Sequence, residues 1–275
     1  VRGSLVHAAI VLTVALLSIG CSQPSVGSAM DTGYPSVETM LSRPEFYSAH
    51  RGGSADDPEM TMQAYRNSAK RGYGALEISL ARSSDGIWFG LHDETLDRTS
   101  QVKGLPPASE MTWDDINRYQ VSLNAEGHPQ PYLAWSEFSS AFGRSHVLFV
   151  DPKLALDRID EFLDMVLRDV GVEHAVIKGY GDATALADRA RARGFQTWGY
   201  YYTADYESGL LSATQDHWTT LGLNWDAPPE AWQQIISYGK PVMAHIIAND
   251  AQRDTARRRG ARGFQVANID EVAPS

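Results

Sequence analysis

At 275 residues, with 43% hydrophobic and 21% charged side chains, the chain has the composition of a globular protein with room for one large core or two small ones. A net charge of −10 argues against nucleic acid or an anionic membrane surface as the main partner, since both call for a basic face. The single cysteine, Cys21, excludes an intrachain disulfide and a cysteine-based metal cluster.

The N-terminal segment reads as a targeting signal. Arg2 and the apolar run 8–20 precede Cys21, and a run of that length suits a signal-peptide core better than a membrane span. Leu17-Ser18-Ile19-Gly20-Cys21 resembles a bacterial lipobox, with the leucine one place further from the cysteine than is usual. Cys21 is therefore the expected lipidation site; cleavage at another small residue such as Ala29, or an uncleaved anchor, is the alternative. Either route predicts an extracytoplasmic protein, lipid-anchored on the outer face of the cell membrane or secreted. Residues 1–21 are assigned to the signal and 22–44, rich in Ser, Gly, Pro and Thr, to a flexible tether. The folded domain is expected over 45–275.

Within that domain, short apolar runs alternate with helical patterns. Phe46–His50 is the first predicted strand. Asp57-Pro58 predicts a helix start with Asp57 as N-cap, running to Arg71. A second strand is predicted over 75–80, then an Asp85-Gly86 turn and the run 87–91 as a side hairpin. Residues 94–146 read as an insertion with short helices at Trp113 and Trp135. Strands are predicted at 147–150, 175–177, 196–202, 218–224, 241–247 and 263–267. Between them lies a strongly amphipathic helix carrying Ile159, Phe162, Leu163, Val166, Leu167 and Val170 on one face. An alanine-rich helix capped by Asp182 and helices over 229–238 and 250–259 complete the alternation. Eight main strands with intervening helices predict a single α/β domain, a (β/α)8 TIM barrel with a small insertion after the second strand.

Active sites of such barrels lie at the C-terminal ends of the strands. Those ends carry His50-Arg51, Glu77, Asp151 and Lys153, Lys178, Tyr201-Tyr202, Asn224-Trp225 and His245, with His92-Asp93 added by the hairpin. Two histidines, a separated pair of carboxylates, and Arg with Lys suit phosphodiester cleavage. One neutral imidazole can deprotonate the attacking hydroxyl while the other, protonated, supplies a proton to the leaving oxygen. Carboxylates can hold a hard divalent cation, and Arg and Lys can clamp phosphate oxygens. No role is assigned to Lys178 or His245, and His128, His146, His174 and His217 read as structural or surface residues. The strand-end aromatics are explained equally by a pocket wall and by barrel packing.

His50-Arg51-Gly52, Pro58-Glu59-Met60-Thr61, Glu77-Ile78-Ser79, Asp85-Gly86, His92-Asp93, Arg98-Thr99, Pro131-Tyr132-Leu133 and Asp151-Pro152-Lys153 occur in that order over residues 46–153. This series resembles the glycerophosphodiester phosphodiesterase family. The resemblance implies His50 and His92 as the acid–base pair, Arg51 and Lys153 as phosphate contacts, and Glu77 and Asp151 as ligands to Mg or Ca. It implies a small-molecule or lipid phosphodiester as substrate. Ser79 departs from the family pattern, which carries a second acid there, and a hydroxyl is a weaker ligand for a hard cation than a carboxylate. A related phospholipase, D-like or phosphatidylinositol-specific, is the alternative enzyme. A barrel that has lost turnover and binds a phosphate-bearing ligand is the alternative of another class.

Overall fold

Eight parallel strands close on themselves in the computed structural model, which describes residues 33–274 together with residues 1 and 3. The proposed signal, Cys21 and the first part of the tether lie outside the described residues. The strands are β1 (Phe46–Ala49), β2 (Ala75–Arg82), β3 (Val147–Asp151), β4 (Ala175–Tyr180), β5 (Gln196–Tyr201), β6 (Thr220–Asn224), β7 (Val242–Ile247) and β8 (Gly263–Val266). Each pairs with its neighbours in sequence, and closure comes from Phe46↔Gly263 between β1 and β8 and Ser48↔Ala75 between β1 and β2. Sheets of this kind are covered on both faces, so their strands read as nearly continuous apolar runs, and β1 and β3 are buried throughout. The barrel with an insertion after β2 is thus the observed architecture.

The hairpin strand Trp88–Gly90 runs antiparallel to β2, with Leu80 opposite Gly90, and lifts His92 to the barrel rim. The insertion packs a core of its own around Phe89, Leu91, Leu96, Ile116 and Tyr132. Trp135 does not belong to it. Helix Trp135–Phe142 joins the main core, where Phe138 meets Tyr65 with ring centroids 4.3 Å apart. Helix Ile159–Asp169 buries Ile159, Phe162, Leu163 and Val166 as its periodicity predicts, while Leu167 is exposed.

Three boundaries differ from expectation. Asp57 is not an N-cap: helix Met62–Lys70 is capped by Thr61, whose Oγ1 accepts from the Ala64 N–H, and Asp57 instead accepts from Asn67. Likewise helix Thr184–Ala192 begins after Ala183, with no side-chain cap from Asp182. The third difference is larger. The tether ends before residue 44, because helix Val37–Ser42, capped by Ser36, docks against the N-terminal end of the barrel. Tyr34, Val37 and Met40 pack on Phe46, Ala75, Val147 and Val176, and the Tyr34 hydroxyl accepts from the Tyr47 N–H at 3.0 Å. The stretch is too short to show a helical period, and the burial that stabilises it comes from residues distant in the chain. Tyr34→Ala is expected to cost ~3–5 kcal/mol in urea unfolding, the usual range for deleting a buried ring. A solvated tether would give a change near zero.

Candidate active site

The His50-Arg51-Gly52-Gly53 segment leaves the end of β1 in a tight turn with Arg51, Gly52 and Gly53 all at positive φ, 52°, 77° and 91°. Glycine takes this conformation freely; Arg51 does so at a cost of order 1–3 kcal/mol. Two hydrogen bonds hold it there: the Arg51 N–H donates to Glu77 Oε2 at 2.8 Å, and its carbonyl accepts from the Met60 N–H at 2.8 Å. Gly52 is required twice over, since a Cβ there would lie 2.9 Å from that of Ala64. The turn therefore points His50 and Arg51 into the mouth of the barrel and ties Arg51 to Glu77 of β2.

His50, Arg51, His92, Lys153, Lys178, Trp198, Tyr200, Tyr202, His245 and Gln265 line one cleft at that mouth. All four residues expected to act on phosphate are in it. Around the rim, His92 Nδ1 meets Asp93 Oδ1 at 2.7 Å, and Asp93 Oδ2 accepts from Arg98 Nε at 2.5 Å. Arg98 makes a two-pronged contact with the buried Glu59 at 2.7 and 3.0 Å, and Glu59 also accepts from Arg51 at 3.3 Å. This chain of charges fixes the His92 ring and the Arg51 guanidinium relative to each other. The motifs of the series thereby gain physical roles, with Glu59 as the hub, Arg98 as the brace, and Thr99 holding the Tyr132 hydroxyl at 2.7 Å. Asp93 orients His92, as its place beside the histidine suggests.

Burial lowers His50 well below 6.5, and burial with the nearby Arg51 charge brings His92 to about 4. His245, whose ring N–H donates to the Tyr201 carbonyl at 2.9 Å, is brought by burial to about 4, as is His146 behind the barrel. The folded chain thus keeps these imidazoles neutral where the unfolded chain binds protons. Stability is full above pH 6.5 and is lost as pH falls toward 4. Each group contributes on the order of 1 kcal/mol per pH unit within that window. The urea midpoint is expected to drop steeply between pH 6.5 and 4.5, less so in His146→Gln; a flat profile would contradict the burial argument.

A sequence model of the glycerophosphoryl diester phosphodiesterase family matches residues 50–221. The chain belongs to that family. It is 40% identical over 76 residues to human glycerophosphodiester phosphodiesterase 1, a match covering 28% of this chain and 22% of the relative. The chain thus spans about a fifth of the length of the mammalian relatives it matches. A putative glycerophosphoryl diester phosphodiesterase from Silicibacter pomeroyi superposes with a TM-score of 0.72 at 17% identity, covering 86% of this chain and 95% of that one. An Oleispira antarctica phosphodiesterase solved with the product sn-glycerol-3-phosphate gives a TM-score of 0.69 at 16% identity, over 82% and 94% of the two chains.

Family members generally depend on a metal, and the residues present here do not fit one. Glu77, two residues into β2, and Asp151, the last residue of β3, are both buried and both reach the same cation. Between them stands Lys178 from β4, its Nζ 2.7 Å from Glu77 Oε1 and 3.3 Å from Asp151 Oδ2. Ser79, where a third acid would stand, donates to Glu77 Oε1 at 3.3 Å. No group of three or more His, Cys, Asp or Glu side chains among the described residues is placed to hold a metal ion. In this structure Glu77 and Asp151 are ion-pair partners of an ammonium. The electrostatics agree. Burial works against charge on Glu77, yet Lys178 and His50 leave it lower than an ordinary glutamate, while burial pulls Lys178 down and the two carboxylates more than restore it.

Lys178 is the residue sequence reasoning left without a role. Its signal was a lysine directly following the apolar run Ala175-Val176-Ile177, a placement that is costly if the strand is buried and the charge unpaired. Gln265 was missed altogether: 1% exposed, with neither amide atom hydrogen-bonded to protein, it lines the cleft. Trp198, Tyr200 and Tyr202 are pocket wall as well as packing, and Asn224 and Trp225 lie outside the lining.

Proposed function

We propose that the chain is a phosphodiester hydrolase acting on glycerophosphodiesters, with His50 and His92 as acid and base and Arg51 and Lys153 on the phosphate oxygens. The observation that carries this reading is the convergence of His50 and His92 with three cations, Arg51, Lys153 and Lys178, in one cleft. One neutral imidazole takes the proton of the attacking hydroxyl, which belongs to water or to a neighbouring carbon of the substrate. The new O–P bond forms as the P–O bond to the departing alcohol breaks. The second imidazole, protonated, gives its proton to the leaving oxygen. The cations stabilise charge on the non-bridging oxygens from fixed positions in the cleft. Glycerol phosphate, the product named with the Oleispira structure, is the half expected to stay on the cations. A second cleft shares Lys153, Tyr200 and Tyr202 with the first and adds Leu156, Tyr180 and Ala183, a surface suited to the departing alcohol or an acyl-bearing group.

The test is release of alcohol by the full chain from glycerophosphodiesters bearing choline, ethanolamine, inositol and glycerol, and from lysophospholipids. Absence of turnover on all of them, with glycerol phosphate still bound, would overturn the reading in favour of a binding protein. The same reading places the protein outside the cytoplasm, held by lipid on Cys21. Its support is the run before Cys21, and loss of membrane association in Cys21→Ala is the expected result.

A further inference from the structure

We infer that the Lys178 ammonium is the resident cation of this active site, doing the electrostatic work of a divalent metal, so that the chain cleaves phosphodiesters without one. The inference rests on the phosphodiesterase reading above and goes beyond it.

Charge and space both lead to it. Three carboxylates around a divalent cation leave a net charge of −1, and two carboxylates around one ammonium leave the same. Ser79 and Lys178 are thus compensating features: one removes a negative charge, the other lowers the cation's charge by one. A metal bridging Glu77 and Asp151 would need their oxygens at about 2.0–2.6 Å. The region within reach of both is the region Nζ already occupies, 2.7 and 3.3 Å from them.

Lys178 is also built to stay. It is 6% exposed, and its Nζ lies 5.1 Å from the Tyr200 ring centroid and 5.7 Å from that of Trp198. Those π faces attract the cation and screen it from water. An ammonium has three donors and no acceptor. Glu77 takes one and Asp151 lies close to a second, which leaves donor capacity for a phosphate oxygen in the cleft that Lys178 lines with His50, Arg51 and His92. Glu77 links the cation to the rest of the site, since its other oxygen holds the Arg51 N–H. An ammonium does not turn bound water into hydroxide as a metal does, so activation of the nucleophile falls wholly on a histidine.

The experiment uses the full chain, stripped with EDTA, in two independent readouts. In titrations followed by calorimetry with Mn, Mg and Ca, the wild type is expected to show no site-specific binding at millimolar metal. Lys178→Ala/Ser79→Asp, which restores three acids and removes the ammonium, is expected to gain a one-to-one site. Stoichiometric metal binding by the wild type that Glu77→Gln abolishes would overturn the inference, whatever the enzyme does. With glycerophosphocholine as substrate, EDTA and added metal are expected to change wild-type kcat/KM less than twofold. Lys178→Ala is expected to lose at least 100-fold with no rescue by metal, circular dichroism verifying the fold. Wild-type activity lost to EDTA and restored by Mg or Ca would also overturn it. Failure of every variant on every diester, with no metal bound by the wild type, would refute the hydrolase reading and leave Lys178 as the fixed cation of a phosphate-binding pocket.

Discussion

Replacing His92 by alanine is expected to lower kcat by ~10²–10⁴, and replacing His50 to do the same, the usual range for removing a positioned acid or base. The double variant should lose little more than either single one, because acid and base act on the two ends of one displacement. Asp93→Asn should fall less, since Asp93 steers the His92 ring through a 2.7 Å contact without touching the phosphate. The pH dependence carries its own sign. Burial, then the positive charge of Arg51, brings His92 to about 4, so in the free protein at neutral pH the acid form is scarce. As kcat/KM reports the free enzyme, it should rise about tenfold per unit as pH falls from 8 toward 5. A bound phosphodiester offsets the cations that push the imidazoles down, so kcat should vary less with pH than kcat/KM. Full activity in either alanine variant would sink the assignment of these histidines.

Glu77→Ala is expected to destabilise the fold by ~3–5 kcal/mol, the largest effect predicted for a single polar residue here. The carboxylate is wholly buried and does two jobs: it pairs with Lys178 and holds the left-handed Arg51 turn through its backbone N–H. Removing it strands a buried ammonium whose remaining counter-charge, Asp151 at 3.3 Å, is one that burial itself pushes up toward protonation. A cycle with Lys178→Met separates the two jobs. If the ion pair dominates, Glu77→Ala/Lys178→Met should be more stable than Glu77→Ala alone, because the stranded charge is gone. If the Arg51 anchor dominates, the second change should rescue nothing. Urea unfolding of the four proteins at pH 7.5 decides between them.

The barrel was legible because its signals are local. The strands are short, mostly apolar runs alternating with helical segments, and Ile159, Phe162, Leu163 and Val166 repeat at helical spacing, so order and number of elements follow from the chain alone. His50, Arg51, His92 and Lys153 were legible for a related reason. They sit at or just past strand ends, and in a barrel strand ends converge. Helix Val37–Ser42 was not legible, since six residues among Ser and Pro give no period and the burial that stabilises them comes from residues far along the chain.

What the sequence by itself determined, then, is the barrel, the family and the residues that meet in the cleft. What only the tertiary structure decided is where the positive charge sits. Glu77, Asp151 and Lys178 are each separated by more than 25 residues and come from three adjacent strands, so nothing in their spacing says whether the carboxylates face a metal or a lysine. That depends on the parallel register of β2, β3 and β4, which places Lys178 Nζ within ion-pair distance of both acids. Ser79, read along the chain, is a missing ligand. In the fold it shares Glu77 Oε1 with Lys178, about a hundred residues away in the chain, and electrostatics acts across that gap because the barrel brings the two to the same few ångströms.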